Sequence, residues 1–578
     1  MLKPFLLLIT FLVSLSNSLK PVKTKYGYLE GITLKKYRNS VVGYLGVPFA
    51  QPPIGKLRFK APQELNKNAY GKNFKATKLA NTCYYRPKYT GFIGFDYWHP
   101  KFLNYSEDCL QLNMWVPKKP KGGVLVFLFG RGYHSGTPSL DLYNGAVIAA
   151  RTRTIVVNIN YRLGILGFAS LGNGKVISGN MGLLDQQAAL KWVYENVEYF
   201  GGDPKMITLF GEGTGASSST AHMFSEKSAK YIRRIIANSG TIKNTWAMQP
   251  RRIVEENLQQ LAKNLKCEGN DKQILKCLQS KDHKVLVAAT DKIIHPEQSP
   301  LVHSFTLVDE DDVFFEGNVR EKIRNRQMKK KFDVLIGKTS HEATYFMPQF
   351  LDMDHFNCKF DPRKPPNSKV NACNMNKTNF ENAVKLLCEE YLIDNDDEKT
   401  ILKKYSNLKD MCYRDKTARF LSDFTFDCDI VQYAKYIAQF VKGNKYFYEY
   451  KVRSSSNPWP DWMGSMHSYE LEFQFGVPFR HSHRYNKKTF YKERNFSGKM
   501  VKMIGDFVNK GNPMPNIKWK QFDDSKVPAL IIDANFDKYK TIRFKNAITD
   551  TCVLHDYILN KYTHWGIKFK NSRLRQHH

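Results

Sequence analysis

The sequence is short of acidic side chains, and after its first residues it lacks long apolar runs. Among 578 residues it has 54 Asp and Glu against 88 Lys and Arg, which gives a formal net charge of +34. No segment after residue 18 has the roughly 20 apolar residues of a membrane helix, so a membrane span is not expected. Internal repeats and Pro- or Ser-rich linkers are absent as well. A single large domain with long insertions is therefore a strong alternative to the two to four domains that length alone suggests.

The excess positive charge bears on solubility and association rather than on the fold. Lysine-rich runs at residues 118–121 and 329–331 supply part of it. No nucleic-acid-binding motif accompanies them, so we expect no nucleic-acid partner. The charge is compatible with an anionic glycan or membrane surface, or with an unidentified protein partner. A lysine-rich composition spread over a solvated surface is the alternative.

The N-terminus has the order of a secretory signal peptide. Lys3 precedes an apolar run over residues 5–15, small polar residues follow at 16–18, and the run is too short to span a bilayer. A buried strand or helix is the alternative. The C-terminus, residues 568–578, is basic and so unlike a lipid-anchor signal. We predict a signal peptide over residues 1–18 and a soluble, exported chain.

Cysteines and glycosylation sequences agree with export. Ten cysteines fit an oxidising compartment. Asn104, Asn376 and Asn495 begin Asn-x-Ser/Thr tripeptides, which accept glycans but also occur by chance. Together they favour a secreted, extracellular glycoprotein. The sequence indicates no cofactor and no metal site.

Apolar runs alternate with helical periodicity along the chain. Residues 124–129 and 155–159 are rich in β-formers and short enough for buried parallel strands. Residues 181–199 carry apolar side chains at helical spacing. Further strand candidates lie at residues 206–210, 334–336 and 529–532. The pattern predicts an α/β fold with a mostly parallel sheet covered by helices.

Residues 206–215 combine a strand, a glycine-bounded turn and the start of a small-residue helix, which is the setting of a nucleophile elbow. Further stretches read GVPFAQPPIGKLRF (46–59), SEDCLQLNMWVP (106–117), NINYRLGILGF (158–168), GNMGLLDQQAALKWV (179–193), GGDPKMITLFGE (201–212) and WMGSMHSYELEFQFGVPF (462–479). In this order they resemble the type-B carboxylesterase and cholinesterase family over nearly all of residues 19–578. The resemblance implies a single α/β-hydrolase domain with a large, mostly parallel central sheet flanked by helices.

The resemblance also implies covalent and ionic links. The implied disulfides are Cys83–Cys109, Cys267–Cys277 and Cys428–Cys552. Arg58 and Glu107 match a buried ion pair of the family. The other cysteines, whose three pairings stay open, are Cys358, Cys373, Cys388 and Cys412.

An esterase site of this family needs a nucleophile, a general base and an acid that orients the base. By resemblance, His467 stands at the position of the base and Glu342 at that of the acid, with an exposed loop glutamate as the alternative. The nucleophile is missing, because the family's Gly-Glu-Ser-Ala-Gly reads GEGTG at residues 211–215 and places Gly213 at the serine position. Thr214 is expected to point elsewhere and to contribute only its backbone N–H.

The oxyanion hole is altered too. Where the family has three glycines, this chain has Gly130, Arg131 and Gly132, and backbone N–H groups at Arg131, Gly132 and Thr214 would face the substrate. The long cationic side chain of Arg131 is expected to obstruct the pocket or to pair with Glu212; an anion-stabilising role is the other interpretation. Two altered positions in one site predict a pseudoenzyme.

A cation-binding pocket is the remaining inference from the resemblance. Trp98 resembles the tryptophan on which cholinesterases stack a quaternary ammonium, an attraction of roughly 0.5 to 2 kcal/mol per aromatic face. Other parts of that environment match Glu212, Tyr345, Phe346 and Tyr143, and positions near the acyl pocket match Trp246, Leu301 and His303. A choline-like ligand is thus a candidate partner, although these rings could simply fill the core and Arg131 opposes a cation.

Three functions compete at this point. The first is a secreted protein without catalysis that acts by binding or recognition. The second is an active ester hydrolase with an unforeseen nucleophile, and the third is a sink for choline-like or other small ligands in the retained gorge. Gly213 separates the first two. A homodimer is an expectation by analogy alone, since family members often pair through helices near the C-terminus.

Overall fold

The computed structural model describes residues 20–34, 41–293, 301–537 and 542–562. The predicted signal peptide and the basic C-terminal segment lie outside these residues. In the described part of the chain, every helix is too short or too polar to cross a membrane.

An eleven-stranded sheet forms the centre of the described structure. Its strands are β1 (Ile32–Leu34), β2 (Val41–Pro48), β3 (Gln111–Pro117), β4 (Gly122–Leu128), β5 (Ile155–Ile159), β6 (Gly202–Glu212), β7 (Arg234–Asn238), β8 (Asp333–Thr339), β9 (Lys445–Tyr450), β10 (Pro528–Ile532) and β11 (Phe544–Asn546). Their order across the sheet is β11-β10-β9-β8-β7-β6-β4-β5-β3-β2-β1. The strands from β10 to β5 pair in parallel, and antiparallel pairs extend both edges.

The central strands form where the sequence is continuously apolar. In β4, residues Val124 to Leu128 are all fully buried, because helices cover both faces of a parallel sheet. Val126 lies in register with Val157 of β5 and Leu209 of β6. The predicted α/β-hydrolase arrangement is confirmed.

Helices flank this sheet. Those of seven or more described residues are α1 (Ala146–Thr152), α2 (Met181–Asn196), α3 (Thr214–Ala221), α4 (Arg251–Asn264), α5 (Asp271–Ser280), α6 (His283–Thr290), α7 (Lys377–Glu390), α8 (Asn395–Ser406), α9 (Tyr413–Ser422), α10 (Cys428–Phe440), α11 (Phe490–Lys510) and α12 (Asp550–Tyr562). A separate apolar cluster, with Phe380, Ile401, Tyr405 and Ile558 among its members, joins α7, α8, α9 and α12 beside the main core.

The structure contains four disulfides, Cys83–Cys109, Cys267–Cys277, Cys358–Cys373 and Cys428–Cys552. The pairing that the sequence left open is thereby resolved, with Cys388 buried and Cys412 exposed as free thiols. Arg58 and Glu107 form a bidentate ion pair with two N–O distances of 2.6 Å.

Candidate active site

The strand-to-helix turn between β6 and α3 keeps the shape of a nucleophile elbow. Gly213 lies between Glu212 and Thr214 with φ +56° and ψ −123°, a conformation that glycine adopts without steric cost. Its N–H donates to the Asn238 carbonyl (2.9 Å), and its own carbonyl accepts from the N–H of Ser217 (3.0 Å). A β-carbon at this position would lie 3.1 Å from Nε2 of His467. The turn therefore still aims position 213 at the imidazole.

Two loops at the same edge of the sheet bring His467 and Glu342 together. Glu342 follows β8 and His467 follows β9, and the N–H of His341 joins their loops by donating to the Ser465 carbonyl (3.2 Å). His467 Nδ1 lies 2.7 Å from Glu342 Oε2. The other carboxylate oxygen, Oε1, accepts from the N–H of Thr339 (2.6 Å) and from the hydroxyl of Ser239 (2.7 Å).

The second nitrogen of His467 also faces a carboxylate. Nε2 lies 3.0 Å from Glu212 Oε1, which accepts the hydroxyl of Ser468 at 2.5 Å. Burial alone would lower the pKa of His467, but the charges of Glu212 and Glu342 outweigh it and raise the pKa. Burial raises the pKa of Glu212. Both imidazole nitrogens of His467 therefore face a carboxylate oxygen.

Arg131 occupies the aromatic pocket. Its Cζ atom lies 4.7 Å from the ring centroid of Trp98 and 5.7 Å from that of Tyr345, and its Nη1 donates to the Tyr345 hydroxyl at 3.1 Å. No carboxylate oxygen of Glu212 lies within 4.0 Å of the guanidinium. The guanidinium therefore faces the aromatic rings and not Glu212, and obstruction of the pocket stays a prediction. The chain's own cation covers the aromatic faces that a quaternary ammonium would contact.

The oxyanion-hole segment has an unusual backbone. Arg131, Gly132 and Tyr133 all have positive φ, at +79°, +69° and +63°. A β-carbon on Gly132 would lie 3.1 Å from Cδ2 of His303, so this histidine borders the segment. The N–H of Thr214 belongs to the first turn of α3, where N–H groups have no acceptor within the helix.

Of the remaining predicted pocket residues, some lie around His467 and others lie in the core. Phe346 packs on His467, with ring centroids 5.4 Å apart, and stacks on Phe426 at 5.3 Å. Trp246 lies 5.5 Å from Phe426 and donates its indole N–H to the Thr425 carbonyl (2.6 Å). Tyr143, in contrast, is buried in the sheet core, 4.8 Å from Phe127, and Leu301 packs at the edge of the same core.

Several residues of the site were missed in the sequence. Phe426, which touches His467 at 4.9 Å between ring centroids, lies in a π-helical turn between α9 and α10. Glu470 is fully buried, and burial together with Glu212 and Glu342 raises its pKa well above the ordinary value. The sequence signal that could have identified Glu470 was its position three residues after His467, in a stretch that resembles the family.

Other predicted sites lie on the surface. Asn104, Asn376 and Asn495 are exposed, so glycosylation at each stays a prediction. Within the described residues, three metal-ligand atoms come together at Asp423, Cys428 and Cys552. Both of those cysteines belong to one disulfide, so this group is unsuited to hold a metal ion.

Comparisons with known proteins agree with this geometry. The sequence profile of the carboxylesterase family matches residues 18–549. A mouse (Mus musculus) protein named cholinesterase is 34% identical over 501 residues, which cover 85% of this chain and 79% of the relative. Acetylcholinesterase 4 of Caenorhabditis briggsae is 32% identical, covering 90% of this chain and 87% of the relative. The acetylcholinesterase of Bungarus fasciatus is also 32% identical, covering 85% and 78%.

Proposed function

Because the chain belongs to the carboxylesterase family, we propose that it is a secreted, cholinesterase-like pseudoenzyme that acts by binding rather than by ester hydrolysis. The observation that carries the proposal is Gly213 at the elbow. Acyl transfer through a triad requires a side-chain nucleophile at that point. A triad without its nucleophile retains about 10³ to 10⁴-fold acceleration over water.

The state of His467 supports the same proposal. A general base needs an unprotonated nitrogen toward the group that it activates. Nδ1 of His467 faces Glu342 at 2.7 Å and Nε2 faces Glu212 at 3.0 Å. The charges of these two carboxylates raise the pKa of His467, which disfavours the neutral form that a general base needs.

An active hydrolase with a different nucleophile is supported less well. Ser468 and Ser239 are the hydroxyls nearest in the hydrogen-bond network, but they donate to Glu212 and Glu342 instead of to His467. Thr214 Oγ1 is buried and has no hydrogen-bond partner. None of these groups has the bond to the base that activates a serine or threonine.

A sink for choline-like cations is also supported less well. Arg131 lies against Trp98 and Tyr345, so an external cation would have to displace a tethered guanidinium and bear its repulsion. Binding at the outer surface is favoured instead.

Labelling with a fluorophosphonate probe tests the proposal. The natural protein, secreted from cells and purified, should take up no label, because no activated hydroxyl lies beside His467. A mouse cholinesterase sample serves as the positive control. Stoichiometric label on any serine or threonine of this chain would overturn the proposal. N-terminal sequencing of the same sample tests cleavage after residue 18, and peptide mass spectrometry tests Asn104, Asn376 and Asn495.

A further inference from the structure

Two arginines from different helices face one phenylalanine ring on the outer surface. Arg151 of α1 has its Cζ 4.5 Å from the ring centroid of Phe479, and Arg494 of α11 has its Cζ at 5.0 Å from the same ring. Gly498 of α11 leaves room for this arrangement, because a β-carbon there would lie 3.3 Å from Nη2 of Arg151. The two guanidinium groups thus pack against the same ring.

Neither arginine has a neutralising partner. Among the described residues, no carboxylate oxygen lies within 4.0 Å of Arg151 or Arg494, and both side chains are exposed. The adjacent acid, Glu493, accepts instead from the N–H of Ser455 (3.1 Å) and the hydroxyl of Thr489 (2.6 Å). Burial lowers the pKa of Arg151, and the charge of Arg494 lowers it further. Two like charges are therefore held together without an acid between them.

More exposed cations lie at the end of α1, two residues after Arg151. Arg153 donates from Nε to the Lys119 carbonyl (2.7 Å), and its own carbonyl accepts from the N–H of Lys121 (2.9 Å). These side chains are exposed, as is Lys118, and none has a carboxylate within 4.0 Å among the described residues. We call the following set the α1 basic surface: Lys118, Lys119, Lys121, Arg151, Arg153 and Arg494.

We propose that the α1 basic surface binds a sulfated glycosaminoglycan chain. The planar fork of a guanidinium matches the oxygens of a sulfate group, and two such forks packed on one ring place two sets of donors close together. The row of lysines beyond them suits a repeating polyanion. The proposal depends on one part of the proposed function, which is export, because an exported chain meets such glycans.

An anionic membrane fits the same surface less well. Peripheral membrane binding combines basic residues with apolar side chains that enter the lipid. Along residues 118–121 and α1 the described chain has no large exposed apolar side chain, and Tyr491, one turn before Arg494, is the nearest one on α11. The surface is therefore basic without an apolar component of the size that insertion needs.

Binding of a heparin octasaccharide, measured by titration calorimetry at two salt concentrations, tests the proposal. The variant Arg151→Gln/Arg494→Gln should bind at least roughly tenfold more weakly than the natural protein, because two charge-assisted contacts are lost. The matched control, Lys359→Gln/Arg363→Gln, removes two charges elsewhere, where each cation pairs with an aspartate. The affinity of this control for the octasaccharide should lie within about twofold of that of the natural protein. Thermal melting verifies that both variants are folded.

Two outcomes would overturn the proposal. Equal weakening in both variants would mean that only the overall charge attracts heparin. Tighter binding to phosphatidylserine vesicles than to heparin would mean that the surface is a membrane site. Each protein is also measured with the additional substitution Asn495→Gln, which removes a predicted glycan beside Arg494. Esterase activity does not enter the readout, so a failure here is distinguishable from a failure of the proposed function.

Discussion

Nε2 of His467 lies 3.0 Å from Oε1 of Glu212, on the side of the imidazole that faces position 213. In a serine esterase this nitrogen takes the proton of the nucleophile. Here the glycine leaves the space beside the imidazole without a side chain, and a carboxylate oxygen of Glu212 faces the nitrogen. The histidine is thus retained as one part of a buried ionic group.

Restoring the serine alone should not restore hydrolysis. In Gly213→Ser the new hydroxyl would face Nε2 of His467, but Arg131 would still lie against Trp98 and Tyr345 and obstruct the pocket. The double variant Gly213→Ser/Arg131→Gly should hydrolyse p-nitrophenyl acetate at least about 10²-fold faster than Gly213→Ala/Arg131→Gly, the scale of a general base. Robust activity in the single variant would show that Arg131 is no obstruction.

Removing Arg131 should open a cation site. In Arg131→Gly the faces of Trp98 and Tyr345 are uncovered, and tetramethylammonium should quench tryptophan fluorescence with an affinity at least about tenfold above that of the natural protein. Arg131→Gly/Trp98→Ala is the control, and it should lose the gain. If the natural protein binds the cation as well as Arg131→Gly does, the guanidinium does not fill the pocket.

The buried ionic group should make the protein less stable as the pH rises. The pKa values of Glu212, Glu470 and His467 are all raised in the folded chain. The two acids add a growing penalty above their ordinary value of 4.5. The stabilisation from His467 is complete below 6.5 and is lost as the pH rises through its raised pKa. Both effects mean that the folded state binds more protons, which lowers the free energy of unfolding by up to about 1.4 kcal/mol per pH unit per proton.

Urea denaturation between about pH 5 and pH 8 measures this effect. Glu470→Gln cannot ionise, so its free energy of unfolding should fall less steeply with pH than that of the natural protein. An equally steep fall in this variant would assign the pH dependence to other groups. Glu342 and Arg131 also face His467 and remain in both proteins, so their contributions cancel in the difference.

The two free cysteines should differ in reactivity. Cys412 is exposed and should react with iodoacetamide in the native protein, whereas Cys388 is buried, and burial raises the pKa of its thiol. Mass spectrometry should find one labelled thiol per native chain and two after unfolding without reductant. The absence of label after unfolding would instead indicate a Cys388–Cys412 disulfide.

The sheet could be predicted from the sequence because its central strands are buried on both faces. Residues 124–129 are a continuous apolar run for that reason, and residues 155–159 are apolar except for Asn158. His467 and Glu342 could be placed because each lies in or after a recognisable stretch. The pairing of Cys358 with Cys373 could not be predicted, since chain spacing does not determine which cysteines approach each other.

The side-chain contacts within the site could not be predicted from the sequence either. Whether Arg131 would turn toward Glu212 or toward the aromatic rings depends on the positive φ of residues 131–133 and on the position of Tyr345. The contact between Glu212 and His467 joins two residues that are 255 positions apart in the chain, and their spacing does not predict it. Phe426 lies about 40 residues before His467 in the chain, and no motif identified in the sequence indicated that it packs on the imidazole.

The central claim is that the natural chain does not hydrolyse esters through His467. The most direct test measures hydrolysis of acetylthiocholine and p-nitrophenyl acetate by the purified natural protein beside His467→Ala. Both proteins should show the same low rate with each substrate. Rapid turnover by the natural protein that is abolished in His467→Ala would contradict the account, since it would require a working nucleophile beside this histidine.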